Sequence, residues 1–598
     1  MKLPSIPYLA DAFLGVVRRF PLVMLAAAAG VVVSMVLIEH DTNIDEDECI
    51  KILMTCSLGL TSLLCASIIC ERWKLSFPAA LAPHLVVLGL LGLYYFTLES
   101  IDDIGTIVTP VRFFGLNLAA HLAVAFLPYL DQSPVEDFWE YNKRLFGNFM
   151  VGAFYSLVIF AGLSFAILAV NELFNLDIDE KIYAHLFVVL AGIFNTAYFL
   201  AHFPKRFDFE TESVENQELA TPTNLFTGPL KNLTKFILIP IVAIYFLILY
   251  AFSAKILIQW ELPEGWVGKL VLGFSVAGIF TYLLNYLMVK FDESFAVKGF
   301  RRWFFYVLLP MVVLLFVAIG RRMSDYGVTE ARFVVAISGV WLLLMSVYFI
   351  FFKRDNIKFI PISLAFFSLL TVLGPFSAFK VSERSQVGRL EAALEKNNML
   401  KDGKIVAATD SLDKADAEII RTTINYLQNN GHHEKLVPML GLSGEASKPD
   451  WQTISDLLTK LGIEQSMDNT NTCSVYFDTN NEQVIEITGY NQLYRINAYQ
   501  KAKLSDDFTG FQITDGMTGL QYVKNGQKQD SFDLRPYCQK LQEKGLCNEG
   551  VQHDSLSVFE ASAAGFDLKF LVESLSFEDD GNWKIRDFNG RALLRSKQ

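Results

Sequence analysis

The stretch 236–257 reads FILIPIVAIYFLILYAFSAKIL, with Lys255 its one charged side chain. As a helix it would span about 33 Å at 1.5 Å per residue, enough to cross a hydrocarbon core of about 30 Å. No face of it is polar, so its solvent is lipid. Runs of the same kind recur before it at 20–38, 52–70, 79–98, 111–130, 148–170 and 182–203, and after it at 267–289, 303–320, 333–352 and 359–379. These runs predict an α-helical polytopic membrane bundle of about eleven spans in residues 1–379. The run at 20–38 has no small-residue cleavage site after it and reads as a retained first span.

Composition agrees. The 598 residues are 52% hydrophobic and only 19% charged, outside the range of ordinary soluble domains. The net charge is -12, and neither part of the chain is basic, with 26 Lys/Arg against 31 Asp/Glu in 1–379 and 25 against 32 in 380–598, so no nucleic acid partner is expected. The lipid bilayer is the first partner implied.

Lys and Arg orient the bundle. With a cytoplasmic N-terminus, 18 of the 26 Lys/Arg in 1–379 fall on the cytoplasmic side and 8 on the other. The opposite connections are acidic, with six carboxylates in 39–48 alone. An odd span number then places residues 380–598 outside the cytoplasm, which in a bacterium is the periplasm. There Cys538 and Cys547 are either bridged or two reduced thiols in a helix and its following turn.

That tail reads as a soluble α+β domain. Helices are expected near 383–398, 411–430 and 451–461, separated by Gly403, Gly431 and a turn cluster at 441–449. Strands are expected at 474–478, 484–488, 493–499, 519–523, 556–560, 568–573 and 583–586, with a turn at Asn525-Gly526. In the bundle, Pro83, Pro240, Pro310 and Pro361 sit inside spans, where they either kink ordinary helices or open backbone for a substrate. Ala191-Gly192-Ile193-Phe194 and Ala277-Gly278-Ile279-Phe280 hint at a parallel duplication.

No HExxH, GxSxG, Walker A or GxGxxG signature is present, and no Cys/His spacing suggests a metal. No catalytic residue, cofactor or metal is therefore expected. The remaining pointers are polar groups in apolar surroundings, which are costly there and face a partner or a cavity. His84, Asn117 and His121 lie in the third and fourth spans, Asn195 and Asn285 in later ones; the two imidazoles either relay protons or simply bond neighbouring helices. Arg321, Arg322, Asp325, Tyr326, Glu330 and Arg332 crowd one external connection, against the prevailing charge asymmetry. They form either a loop neutralised by Asp325 and Glu330 or a site where paired guanidiniums receive a carboxylate or phosphate.

Asp325-Tyr326-Gly327-Val328-Thr329-Glu330-Ala331-Arg332-Phe333, then Gly374-Pro375, Ser385-Gln386 and Arg389-Leu390, together with Tyr250-Ala251-Phe252-Ser253-Ala254-Lys255 and Gly265-Trp266, resemble the bacterial membrane family called domain of unknown function 4153. The resemblance implies many spans, an extracytoplasmic tail and a bacterial inner membrane, and it carries no activity. The leading expectation is a non-enzymatic protein whose periplasmic domain senses, binds or scaffolds a protein or envelope partner. A secondary transporter of a small anion or lipid-linked solute is the alternative, and a membrane-embedded transferase the third.

Overall fold

Ten helices among the described residues are long and apolar enough to cross a membrane. The structure is a computed structural model and describes residues 6–39, 45–98, 108–207, 228, 230–259, 266–352, 355–408, 412–441, 454, 458, 463, 472–478, 489–490, 492–499, 509–514, 517–524, 527–544, 550–552, 558–562, 566–578 and 584–596. After a short helix α1 (Ile6–Arg19) come α2 (Pro21–Glu39), α3 (Glu46–Arg72), α4 (Phe77–Phe96), α5 (Val108–Phe126) and α6 (Val135–Phe174). Then follow α7 (Lys181–Ala201), α8 (Leu230–Ile256), α9 (Trp266–Leu284), α10 (Phe295–Tyr326) and α11 (Glu330–Phe351). Most of the connection expected at 204–235 lies outside the described residues.

Charge laces one end of the bundle. Arg19 forms a two-pronged pair with Glu71, both bonds 2.7 Å, and donates to the Phe203 and Pro204 carbonyls. Arg72 donates to Asp131 and Ser133. Arg301 pairs with Asp355 at 2.6 Å, and Lys290 with Glu136 at 2.6 Å. The buried Lys358 ammonium donates to the Ser133 and Tyr129 carbonyls at 2.6 and 3.3 Å, and burial pushes its pKa below the ordinary value. Asp292 is held well below the usual carboxylate range by Ser294, Lys235 and Lys231. At the opposite end Lys181 and His185 meet Glu39, Tyr95 donates to Glu48, and Arg112 lies over the Phe379 ring at 5.5 Å.

The eleventh expected span is shorter than the sequence suggests. Helix α12 (Phe359–Val372) has 14 residues, about 21 Å. It stops because Leu373 is extended and Gly374 left-handed at φ 77°, and the last expected residues instead open α13 (Ala378–Lys396) behind Ser377. The chain still passes from one end to the other, since Lys358 sits at the charged end and α13 bonds the 325–328 turn at the far one. Helix α12 packs on α5 through a small residue: a Cβ on Gly115 would stand 2.5 Å from Val372, and Ser368 donates to the Gly115 carbonyl at 2.7 Å.

Two of the four prolines find local solutions, while Pro83 and Pro310 stay inside α4 and α10. Pro240 follows a π-helical turn, Leu233–Leu238, whose wider coil relieves the clash a proline ring makes with the preceding turn. Pro361 lies in the first turn of α12, where its missing N–H costs nothing. The two Ala-Gly-Ile-Phe stretches differ in geometry, one lying in a π turn (Leu190–Phe194) and the other in regular α9. Each glycine nevertheless admits a neighbour, Val31 at Gly192 and Phe304 at Gly278.

The chain divides into two compact units, Met1–Asp410 with Ile419–Ile454, and Ser411–Glu418 with Ser455–Gln598. The first includes the bundle, α13, most of α14 (Lys414–Asn429) and α15 (His433–Met439), with a small ribbon of β1 (Leu400–Lys401) and β2 (Lys404–Ile405). The second holds β3 (Thr472–Asp478), β4 (Gln492–Tyr499), β5 (Gly510–Ile513), β6 (Gly519–Lys524), β7 (Gln527–Asp533), α16 (Arg535–Glu543), β8 (Gly550–Gln552), β9 (Val558–Ser562), β10 (Phe566–Glu578) and β11 (Lys584–Ser596). Strands β4-β11-β10-β3-β8 form one sheet with β9 also on β10, and β5-β6-β7 form another.

Strand β10 buries Leu568, Phe570 and Val572, then Leu575 and Phe577. The change of phase falls at a bulge between Val572 and Ser574, which keeps apolar side chains inward along both halves. The expected strand at 484–488, the helix at 451–461 apart from isolated residues, and the Asn525-Gly526 turn lie outside the described residues. Cys538 does not form the bridge considered from sequence. It is a buried free thiol on α16, pushed up to about 12 by burial, and so is packed rather than reactive. Cys473 on β3 is disulfide-bonded instead, to a partner outside the described residues.

Replacing Gly115 by Leu should drive a side chain into Val372 and cost about 1–3 kcal/mol, read as a lower midpoint of thermal unfolding in detergent. Gly89→Leu, with open space around the position, should leave the midpoint unchanged.

Candidate functional site

Helix α10 ends at Tyr326, and Gly327 turns the chain at φ 72°. A Cβ there would lie 2.9 Å from Gln386 Nε2, so the position needs glycine for its backbone and for its neighbour. Gln386 Nε2 donates to the Tyr326 and Val328 carbonyls at 3.2 and 2.9 Å, and the Val328 N–H donates to Ser385 Oγ at 2.9 Å. Arg389 donates to the Asp325 carbonyl at 2.6 Å. Two motifs about sixty residues apart, Asp325 to Thr329 and Ser385 to Arg389, are thus one clamp that satisfies the carbonyls a helix end leaves open.

Beside the clamp Glu330 opens α11, only 1% exposed. Its two carboxylate oxygens meet two residues from the tail: His432 Nε2 donates to one at 2.9 Å, and the Tyr426 hydroxyl donates to the other. The two rings lie 6.0 Å apart and nearly parallel. Burial pushes the Tyr426 phenol well above its ordinary value, and the Glu330 carboxylate pushes it the same way, so the hydroxyl remains a donor. The α11 N-terminus adds favourable dipole for the carboxylate.

The chain delivers the histidine by a helix stop. The Gly431 N–H bonds the Gln428 carbonyl and the His432 N–H bonds that of Leu427. With Gly431 at φ 75° this is the Schellman arrangement, which folds residue 432 back onto its own helix.

Several expectations need correction here. Arg321, Arg322, Asp325 and Tyr326 are the last turns of α10, and the connection itself is only Gly327, Val328 and Thr329. Glu330 does not neutralise the arginines, because its carboxylate faces His432 and Tyr426. Asp325 lies 3.8 Å from Arg321, a loose and exposed pair. Arg332 donates to the Tyr326 and Gly327 carbonyls and rests over the Tyr326 ring at 5.4 Å.

The imidazoles in the spans are not brought together. His84 on α4 donates from Nδ1 to the Ala80 carbonyl, with Ser67 of α3 at 3.2 Å. His121 on α5 is exposed and donates to the Asn117 carbonyl, while Asn117 itself donates to Phe113. Helix α3 packs against both α4 and α5, and no hydrogen bond among the described residues joins His84 to His121. Asn195 stands just beyond the α7 π turn with its carbonyl oxygen unbonded, and Asn285 donates to the Val297 carbonyl. Tyr250 donates to the Val307 carbonyl, joining α8 to α10; Gly265 and the Trp266 side chain lie outside the described residues.

Tyr426, His432 and Lys358 were missed from sequence. For His432 a signal exists in Asn430-Gly431-His432-His433, a helix stop followed by imidazoles. For Lys358 there is none, since a lysine near a span end is ordinarily solvated.

Comparison with known proteins adds the following. The model of the family "Domain of unknown function (DUF4153)" matches residues 25–402, a range that includes Glu330 and the clamp and ends before Tyr426 and His432. Uncharacterized protein PM1469 of Pasteurella multocida (strain Pm70) is 27% identical over 254 residues, 41% of this chain and 40% of that protein. The match therefore spans less than half of that relative. No solved structure matches.

His432→Ala leaves the buried Glu330 carboxylate one hydrogen bond short and should cost about 1–3 kcal/mol, measured as the loss of unfolding midpoint of the full chain. Tyr426→Phe should cost less. The raised phenol pKa contributes stability that is complete below its unfolded value of about 10 and is lost as pH rises toward the folded value, so the wild type should lose an increment of stability above that pH which Tyr426→Phe does not show.

Proposed function

The chain belongs to the DUF4153 family of membrane proteins, and we propose that it is a non-enzymatic inner-membrane anchor whose extracytoplasmic tail binds a protein or envelope component. The junction of Glu330 with His432 and Tyr426 carries this reading. It ties the first helices of the tail to the mouth of a span by a buried, charged contact, as a device does that must hold or sense a tail rather than merely tether it.

Two further observations support the placement. Lys and Arg divide 18 to 8 in favour of a cytoplasmic N-terminus, and a disulfide at Cys473 suits an oxidising compartment. In this reading α11 is the conduit, since its first residue holds the tail and its other end lies near the charged lattice around Arg301 and Lys358. The transporter alternative has less support from the two imidazoles, since His84 and His121 each bond a carbonyl of their own helix.

Reporter fusions after Gln598 should be active only outside the cytoplasm, and a photocrosslinker at exposed Gln529 of β7 should capture a discrete envelope component. A cytoplasmic C-terminal fusion, or no adduct anywhere in a scan of the tail surface, would overturn the proposal.

A further inference from the structure

Two guanidiniums reach the end of α10 from α11 and α13, and a third arginine, Arg322, stands in the last turns of α10 itself. Arg389 of α13 bonds the Asp325 carbonyl and Arg332 of α11 bonds those of Tyr326 and Gly327, which are consecutive acceptors on one turn. Arg322 lies one helical turn before Tyr326. Both Arg322 and Arg389 are close enough to repel the charge of Arg332. All three are half-buried, which strengthens that repulsion relative to open water.

Among the described residues none of the three pairs with a carboxylate. The acids nearest in sequence to Arg322 and Arg332 are engaged elsewhere: Asp325 stands by Arg321 and Glu330 is buried against His432 and Tyr426. Carbonyl groups satisfy some N–H donors but carry no net charge. Arg332 and Arg389 each direct Nη1 to these carbonyls, and a guanidinium has five donors. Capping alone accounts for those two side chains. It does not account for Arg322, which makes no hydrogen bond or ion pair with a described residue.

We infer that Arg322, Arg332 and Arg389 form a binding site for a phosphate-bearing anion at this end of the bundle. Three cations gathered around one turn of chain match a group with several charged oxygens better than a carboxylate with two. Depth argues in the same direction. Arg322 stands two residues beyond the apolar run ending at Gly320, and Arg332 immediately precedes the run beginning at Phe333, which is within about 3 Å of the hydrocarbon edge along each helix and so at headgroup level. The exposed ring of Tyr326 beside Arg332 suits the same interface. The site does not depend on what the tail binds.

The test uses the full-length protein, purified and delipidated in zwitterionic detergent, with its thermal midpoint followed against inorganic phosphate in one arm and phosphatidylglycerol in the other. Potassium chloride of equal ionic strength and phosphatidylcholine are the controls. A saturable rise in midpoint with either probe beyond its control supports the site. A response to phosphatidylglycerol alone assigns a lipid headgroup, and a response to phosphate assigns a free anion. Arg322→Gln removes no contact within the fold, so it should keep the midpoint without probe while weakening the probe's effect at least about tenfold, the loss of one charge-assisted hydrogen bond. Arg389→Gln should weaken it as well, with some loss of basal midpoint. No response to either probe, or an undiminished response in Arg322→Gln, overturns the inference.

Discussion

Hydrocarbon offers a peptide group no water to bond with, so each backbone donor and acceptor within the bilayer must be answered inside the protein. In this chain that constraint settles where polarity can go. Helical bonds satisfy the middles of the spans, and side chains gather at the ends to receive the carbonyls left over. Arg19 on Phe203 and Pro204, Lys358 on Ser133, and Gln386, Arg332 and Arg389 on residues 325–328 all answer a helix end or a connection. The two ends differ in idiom. One is a lattice of opposite charges, and the other has its own ion pairs, such as Lys181 with Glu39, but adds a set of cations and amides on carbonyls beside the buried Glu330.

The same constraint explains what sequence could reveal. A span advertises itself by length and apolarity, so ten helices were legible, as was the α+β character of the tail. Helix ends were not. The arginines at 321 and 322 look like loop residues because charge ends an apolar run, yet α10 continues to Tyr326, since nothing before Gly327 breaks it. At 359–379 the apolar run outlasts its helix because Gly374 turns the chain. Strand β7, Gln-Lys-Gln-Asp-Ser-Phe-Asp, went unseen because it is a polar edge strand that buries Phe532 while its neighbours face water.

The candidate site was half legible for a similar reason. Glu330, Gln386 and Arg389 lie in motifs that stand out by composition, and their meeting is a matter of adjacent helix ends. What Glu330 does there depends on Tyr426 and His432, 96 and 102 residues away. No local pattern encodes a partner at that distance. The sequence suggested salt bridges to the nearest arginines, which is the short-range solution; the fold uses the long-range one and leaves the arginines charged.

That separation has a consequence in time. At about 5–20 residues per second, the ribosome needs several seconds after α11 is made before Tyr426 and His432 exist. Throughout that interval the bundle holds an acid at a helix mouth with neither of its donors. Insertion into the membrane and completion of the membrane protein are therefore separate events, and the second waits for the first part of the tail. A chain cut short near residue 402 would retain its spans and carry a permanently exposed defect, an ionisable group that a membrane protease or chaperone can read. The spans can thus be complete before the acid at the mouth of α11 has either of its donors.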